Sequence, residues 1–169
     1  MAVSESRAAA VSTHFRVQYP NSRPRRVKII GLGDGGGRIA QLIGQRGLVD
    51  VEIINTREYQ KDHAEAVAKR ITDNTKGLYC QLQEADIIFI VAVSSDQVEF
   101  ARVVSRIARE LGKLVTGVLI EKNAENNSAQ ALEAATTLDN LRACVDMLVI
   151  GSDESYLDEM LSELGAIAA

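Results

Sequence analysis

Five short apolar runs, Val27 to Ile30, Val51 to Ile54, Ile87 to Val93, Leu114 to Ile120 and Val145 to Ile150, punctuate the chain. Most are continuous and rich in Val and Ile rather than alternating in polarity. That marks strands covered on both faces, as in a mostly parallel sheet. The stretches between them carry a helical period. From Gln97 to Leu111, the residues Phe100, Ala101, Val104, Ile107, Ala108 and Leu111 share one face. Ala129 to Ala143 carries Leu132, Ala135 and Leu138. The last segment sets Leu157, Met160, Leu161, Leu164 and Ile167 opposite Asp158, Glu159 and Glu163. Strands alternating with helices predict a three-layer α/β/α sandwich, a doubly wound parallel sheet with right-handed crossovers.

At 169 residues, 46% of them hydrophobic, the chain suits one domain. Residues 25–169 are expected to form it. Residues 1–24, which end in Tyr19-Pro20 and Arg23-Pro24, are expected to be a loose tail. Within that tail His14 to Tyr19 alternates in polarity, as an edge strand or an arm to a partner would. No apolar run reaches the length of a membrane span and no secretory signal opens the sequence, so a cytoplasmic protein without membrane insertion is expected. Cys80 and Cys144 show no metal spacing and no paired framework, and read as buried thiols. The formal net charge of −4 argues against nucleic acid as a partner. The basic cluster Arg23, Arg25, Arg26 and Lys28 reads as a solvated entry segment.

Between the first strand and first helix, Gly31, Gly33, Gly35, Gly36 and Gly37 fall within seven residues. Such a turn lets backbone amides approach an anion without interference from Cβ, and the helix N-terminus adds partial positive charge. The same glycines also suit a tight turn with close packing of helix on sheet. Gly31, Gly33 and Gly36 fit G-x-G-x-x-G, a pattern that several nucleotide folds share.

The segment VKIIGLGDGGGRIAQLIGQRGLVDVEIINT, residues 27–56, resembles the first strand, phosphate loop, first helix and second strand of the FtsZ and tubulin superfamily. Ala85-Asp86-Ile87-Ile88-Phe89-Ile90 is similar to the family's third strand, and Ile107 to Gly112 with Gly117-Val118 to the helix end and strand that follow. Val145 to Ile150 with Ser152-Asp153 is similar to the strand that leads into the family's Pro-Asn-Asp turn. The resemblance runs from Val27 to about Leu161. It implies a tubulin-type GTPase domain with strand order 3-2-1-4-5, binding GTP or GDP with magnesium.

The departures from the family pattern fall on nucleotide contacts. The Gly-Gly-Gly-Thr-Gly-Thr-Gly loop after the third strand is replaced by Ser94-Ser95-Asp96-Gln97-Val98-Glu99. Asp96 and Glu99 form a capping-box pattern, which would satisfy the amides of the following helix, and a carboxylate there repels phosphate. Ser94 and Ser95 could instead donate hydroxyls to an anion. A family glycine becomes Asp34 and the following Asn becomes Arg38; the two charges either pair or leave Arg38 to grip a phosphate. Asn-Thr-Asp becomes Asn55-Thr56-Arg57, and the glycine-rich loop expected next is missing, with a run toward helix in its place. Lys61, Asp62, His63 and Glu65 read as a solvated face. Glu125 matches a ribose-contacting glutamate without the arginine that should follow, and Ser152 stands for the base-contacting Asn. The sequence ends at Ala169, before the family's central helix and second domain, whose acidic residues complete hydrolysis across a filament contact. Hydrolysis is therefore not expected from this chain alone.

Three readings follow. The first is a degenerate FtsZ-like domain, a pseudo-GTPase that works through protein contacts with an FtsZ-like protein or itself, in cell division or filament organisation. The second is a genuine GTP- or GDP-binding domain using Gly31 to Arg38, Asn55, Ser94, Ser95, Glu125 and Ser152, with magnesium only if nucleotide binds. The third is a nicotinamide-dinucleotide protein. It fits less well: Asn55 stands where an acid usually meets the ribose, and no catalytic constellation follows.

Overall fold

All five apolar runs are strands. The computed structural model describes residues 25–56, 74–121 and 128–164. Its elements follow in the order β1 (Val27–Gly31), α1 (Gly33–Gly44), β2 (Val51–Ile54), α2 (Asn74–Gln83), β3 (Ile87–Val93), α3 (Ala101–Glu110), β4 (Val115–Ile120), α4 (Ser128–Arg142), β5 (Met147–Gly151) and α5 (Ser155–Glu163). Every strand pair is parallel, with Val27 opposite both Val51 and Ile87. The expected tail, including His14 to Tyr19, and the charged run Lys61 to Glu65 lie outside the described residues.

Alternate residues of the central strand feed opposite cores, as the two-residue period of a strand requires. Ile88, Ile90 and Ala92 pack with Leu78 and Leu82 of α2, Val104 of α3 and Leu141 of α4. Phe89, Val91 and Val93 pack with Ile39 and Ile43 of α1 and Leu157 and Leu161 of α5. The chain is thus a doubly wound α/β/α sandwich. Of the apolar stripe expected in the last segment, Leu157, Met160, Leu161 and Leu164 pack on the chain's own sheet, and Ile167 lies outside the described residues.

The strand order is β2-β1-β3-β4-β5, which corrects the expected numbering 3-2-1-4-5. The third run is the longest strand and all but its first residue is buried. It must therefore lie inside the sheet, between β1 and β4. The outer place beside β2 is half-exposed and holds no further strand among the described residues. The winding reverses between β1 and β3.

Three side-chain expectations and one helix start differ as well. On α4 the inward face is Thr137 and Leu141, with Ala134 and Leu138 half-buried, whereas Leu132 is 72% exposed and Ala135 lies outside. The Leu132 and Ala135 stripe was the wrong one because alanines surround this helix and blur its period. Helix α3 begins at Ala101 and not at Gln97. Cys80 is exposed; only Cys144 is buried. Lys28 is not solvated but 4% exposed, with its ammonium paired to Glu52 and 3.9 Å from Glu84. Its neighbour Arg26 is tied to Asp86, whose carboxylate accepts the Arg26 amide at 3.0 Å.

The register of α4 gives a direct check. Leu141→Ala should lower stability in urea titrations by about 2–5 kcal/mol, while Leu132→Ala should stay within about 0.5 kcal/mol of the parent.

Candidate functional site

The glycine-rich segment is a helix start rather than an open loop. Leu32 is extended and caps α1 without a side-chain hydrogen bond, so the first amides of the helix need an acceptor from elsewhere. Asp96 supplies it from the turn after β3. Its Oδ1 accepts from the Gly35 amide at 3.0 Å, and its Oδ2 accepts from the Gly36 amide at 2.7 Å and the Val93 amide at 2.7 Å. A carboxylate receiving three backbone amides at a helix N-terminus makes charge-assisted bonds aligned with the helix dipole. The arrangement lies at the carboxyl ends of β1 and β3, where the winding reverses, the usual place for a ligand in an open α/β sheet.

Asp96 is itself held on every side. Its amide donates to the Val93 carbonyl at 2.8 Å, and its carbonyl accepts the Thr137 hydroxyl of α4 at 3.0 Å. It is buried, at 9% exposure. The capping-box expectation is therefore corrected: Asp96 caps α1 and not α3. Helix α3 has Phe100 at its N-cap with no side-chain bond, and its first amides close on Val98, Glu99 and Phe100 carbonyls. The turn Val93 to Asp96 points the carboxylate back across the sheet, away from the later helix.

The glycines fit this packing closely. A Cβ on Gly33 would lie 2.5 Å from Asp96 Oδ1, and Gly33 also holds φ of +64°, a conformation that costs other residues strain. A Cβ on Gly36 would lie 2.1 Å from the Val91 carbonyl oxygen. Gly37 has open space around it.

The remaining candidate residues are scattered. Asp34 and Arg38 are exposed one helical turn apart on α1. Asn55 follows β2 at the rim of a cleft of about 510 Å³ between α1 and β2, lined also by Gly31, Gly33, Gly37 and Gln41. Ser94 is buried, with its amide bonded to the Ile120 carbonyl at 3.1 Å, and Ser95 is exposed. Ser152 is exposed beside Asp153. Asp153 accepts the Ser155 hydroxyl and, at 2.8 Å, its amide. These bonds hold its carboxyl below the usual range, the hydroxyl contributing most. This turn is satisfied internally. Glu125 lies outside the described residues.

Two buried hydroxyls escaped the sequence reading. Thr137 fixes the Asp96 backbone, and Thr56 donates to the Gly31 carbonyl at 3.2 Å, closing the end of β2 onto the glycine turn. Thr56 stood in the matched Asn55-Thr56 pair without a role of its own, and the only signal of Thr137 was a threonine at the edge of an apolar face. No cluster of three or more metal-ligating side chains occurs among the described residues.

Chemically, the cradle holds an anion through neutral amides, and the anion it holds belongs to the chain. Gly36→Ala should cost about 3 kcal/mol or more through its clash, whereas Gly37→Ala should raise stability by about 0.5–1 kcal/mol as an open helical position. Thermal melts of the two variants distinguish a packing role from a loop in which both glycines serve a ligand.

No protein-family profile matches the sequence. Solved structures do match the fold. An empty FtsZ dimer of M. jannaschii aligns with a TM-score of 0.56 at 15% identity, covering 88% of this chain and 49% of that one. The W319Y mutant of M. jannaschii FtsZ aligns at 0.59 and 14%, covering 90% and 52%. CetZ from Methanosaeta thermophila aligns at 0.52 and 17%, covering 83% and 49%. The chain spans about half the length of these structures, and the α/β/α sandwich it shares with them is the fold class the sequence resemblance implied, with the strand order corrected above.

Proposed function

We propose that this chain is an FtsZ-like domain that has exchanged its nucleotide for an internal carboxylate: a pseudo-GTPase that acts in the cytoplasm through contacts with other proteins. The observation that carries this reading is the convergence of the Gly35, Gly36 and Val93 amides on Asp96. A phosphate brought to those amides would have to displace a carboxylate that Thr137 and the β3 turn hold in place. It would also meet that carboxylate's negative charge. The reading includes no hydrolysis. The partner it invokes is an FtsZ-like protein or a second copy, and the setting suggested by kinship is cell division or the organisation of filaments. No helix among the described residues is long and apolar enough to cross a membrane.

A second reading, retained GTP or GDP binding with magnesium, is favoured by the cleft between α1 and β2, which is lined by Gly31, Gly33 and Gly37. One titration separates the two. In calorimetry with GDP or GTP and magnesium, the parent protein should show no binding tighter than about 1 mM, corresponding to about −4 kcal/mol. Asp96→Gly, with its fold checked by circular dichroism and with Asp96→Asn alongside, should gain measurable affinity for inorganic phosphate. Micromolar nucleotide binding by the parent, or phosphate affinity unchanged in both variants, contradicts the proposal.

A further inference from the structure

Helix α1 is fixed to a different strand at each end. Near its start a Cβ on Gly36 would lie 2.1 Å from the Val91 carbonyl oxygen of β3, and at its finish a Cβ on Gly44 would lie 2.8 Å from Ile53 Cγ1 of β2. The helix therefore crosses the sheet obliquely, and the carboxyl end of β2 lies beside its flank rather than under it. The cleft of about 510 Å³ opens there. Gly37 lines it, and a Cβ on Gly37 would meet nothing within 4 Å. The packing leaves that space open.

The lining selects against charge. Ala40, Ile53 and Ile54 supply apolar surface, and Gln41, Gln45 and Asn55 supply carboxamides. The Thr56 hydroxyl is already given to the Gly31 carbonyl. No Lys, Arg, His, Asp or Glu lines the cleft among the described residues. An ionised group brought inside would lose water and gain no counter-charge. A carboxamide, by contrast, sets a donor and an acceptor side by side, the pattern with which Gln and Asn meet the amino group and ring nitrogen of adenine. Gln41 and Gln45 stand one turn apart on α1, and both are exposed to an arriving ligand.

The volume falls within the range of about 300–1,000 Å³ usual for small-molecule sites, which combine apolar walls with a few polar groups. The fold also holds the cleft open. Asp96 fixes the start of α1, and the contact of Gly44 with Ile53 limits the approach of its far end to β2, so little rearrangement is needed to admit a ligand. We infer that the cleft between α1 and β2 binds an uncharged adenine compound, the free base or its nucleoside, with the ring against Ile53 and its edge on the carboxamides of Gln41 and Gln45. The amides that Asp96 occupies take no part, so the inference does not rest on the pseudo-GTPase reading.

Titration of the full chain with adenosine, followed by calorimetry and amide NMR, tests this. Adenosine should bind with a Kd below about 1 mM and move the Gly37, Gln41 and Asn55 resonances, while the Gly35 and Gly36 amides stay in place. AMP should bind no more tightly than adenosine; a phosphate site would give the reverse. Gly37→Leu fills the cleft from an open helical position and should weaken adenosine at least tenfold without lowering the melting temperature. Gln41→Leu, at an exposed position, should weaken it about fivefold through the lost hydrogen bonds, and it decides the matter if Gly37→Leu proves unstable. Cleft resonances that adenosine leaves unmoved, AMP bound tenfold more tightly than adenosine, or unchanged affinity in either folded variant overturns the inference.

Discussion

The Asp96 carboxylate joins elements that are otherwise independent. Through the Gly35 and Gly36 amides it holds the start of α1, through Val93 the end of β3, and through its own carbonyl Thr137 of α4. Helices α1 and α4 cover opposite faces of the sheet, so one residue in one turn ties both outer layers to the central strand. The N-cap residue of α1, Leu32, makes no side-chain hydrogen bond to the first amides of the helix, so they call for acceptors beyond the cap. Once an acid from the neighbouring turn serves, the surrounding geometry contracts around it. Gly33 and Gly35 have room for the carboxylate but none for a Cβ.

That contraction changes the meaning of the glycine turn. Glycines that admit a backbone to a phosphate also admit a carboxylate, since both are anions received by amides. Here the amides receive a carboxylate of the same chain. Under the proposed function, a domain with such a turn has no nucleotide-dependent change of state and acts through the shape and charge of its surface. Among the described residues, the β5 edge leaves Met147 and Ile150 exposed.

Much of the fold was legible because strands buried on both faces must be apolar throughout, and the runs at 27–30, 51–54 and 87–93 are so with few interruptions. Helix α3 was legible by its helical period, its apolar residues falling on one clear face. Helix α4 was not: alanine on several faces leaves no period, and its true inner face uses Thr137, a polar residue justified only by the Asp96 carbonyl. The site failed in a related way. Asp96 and Glu99 match a local capping pattern, but the amides that take the carboxylate are 60 and 61 residues away, and no spacing rule reaches that far. Lys28 was misread because a lysine in an apolar run looks like a solvated end until its partner Glu52, one strand over, is seen.

The central claim is that the cradle amides are occupied by Asp96 in solution. Through-bond NMR couplings across hydrogen bonds, from the Gly36 and Val93 amide nitrogens to the Asp96 carboxyl carbon, observe that directly. The account predicts that both couplings are present and that the Gly35 and Gly36 amide resonances stay in place when millimolar GDP and magnesium are added. Absent couplings, together with Gly35 and Gly36 resonances that move with nucleotide, would contradict it.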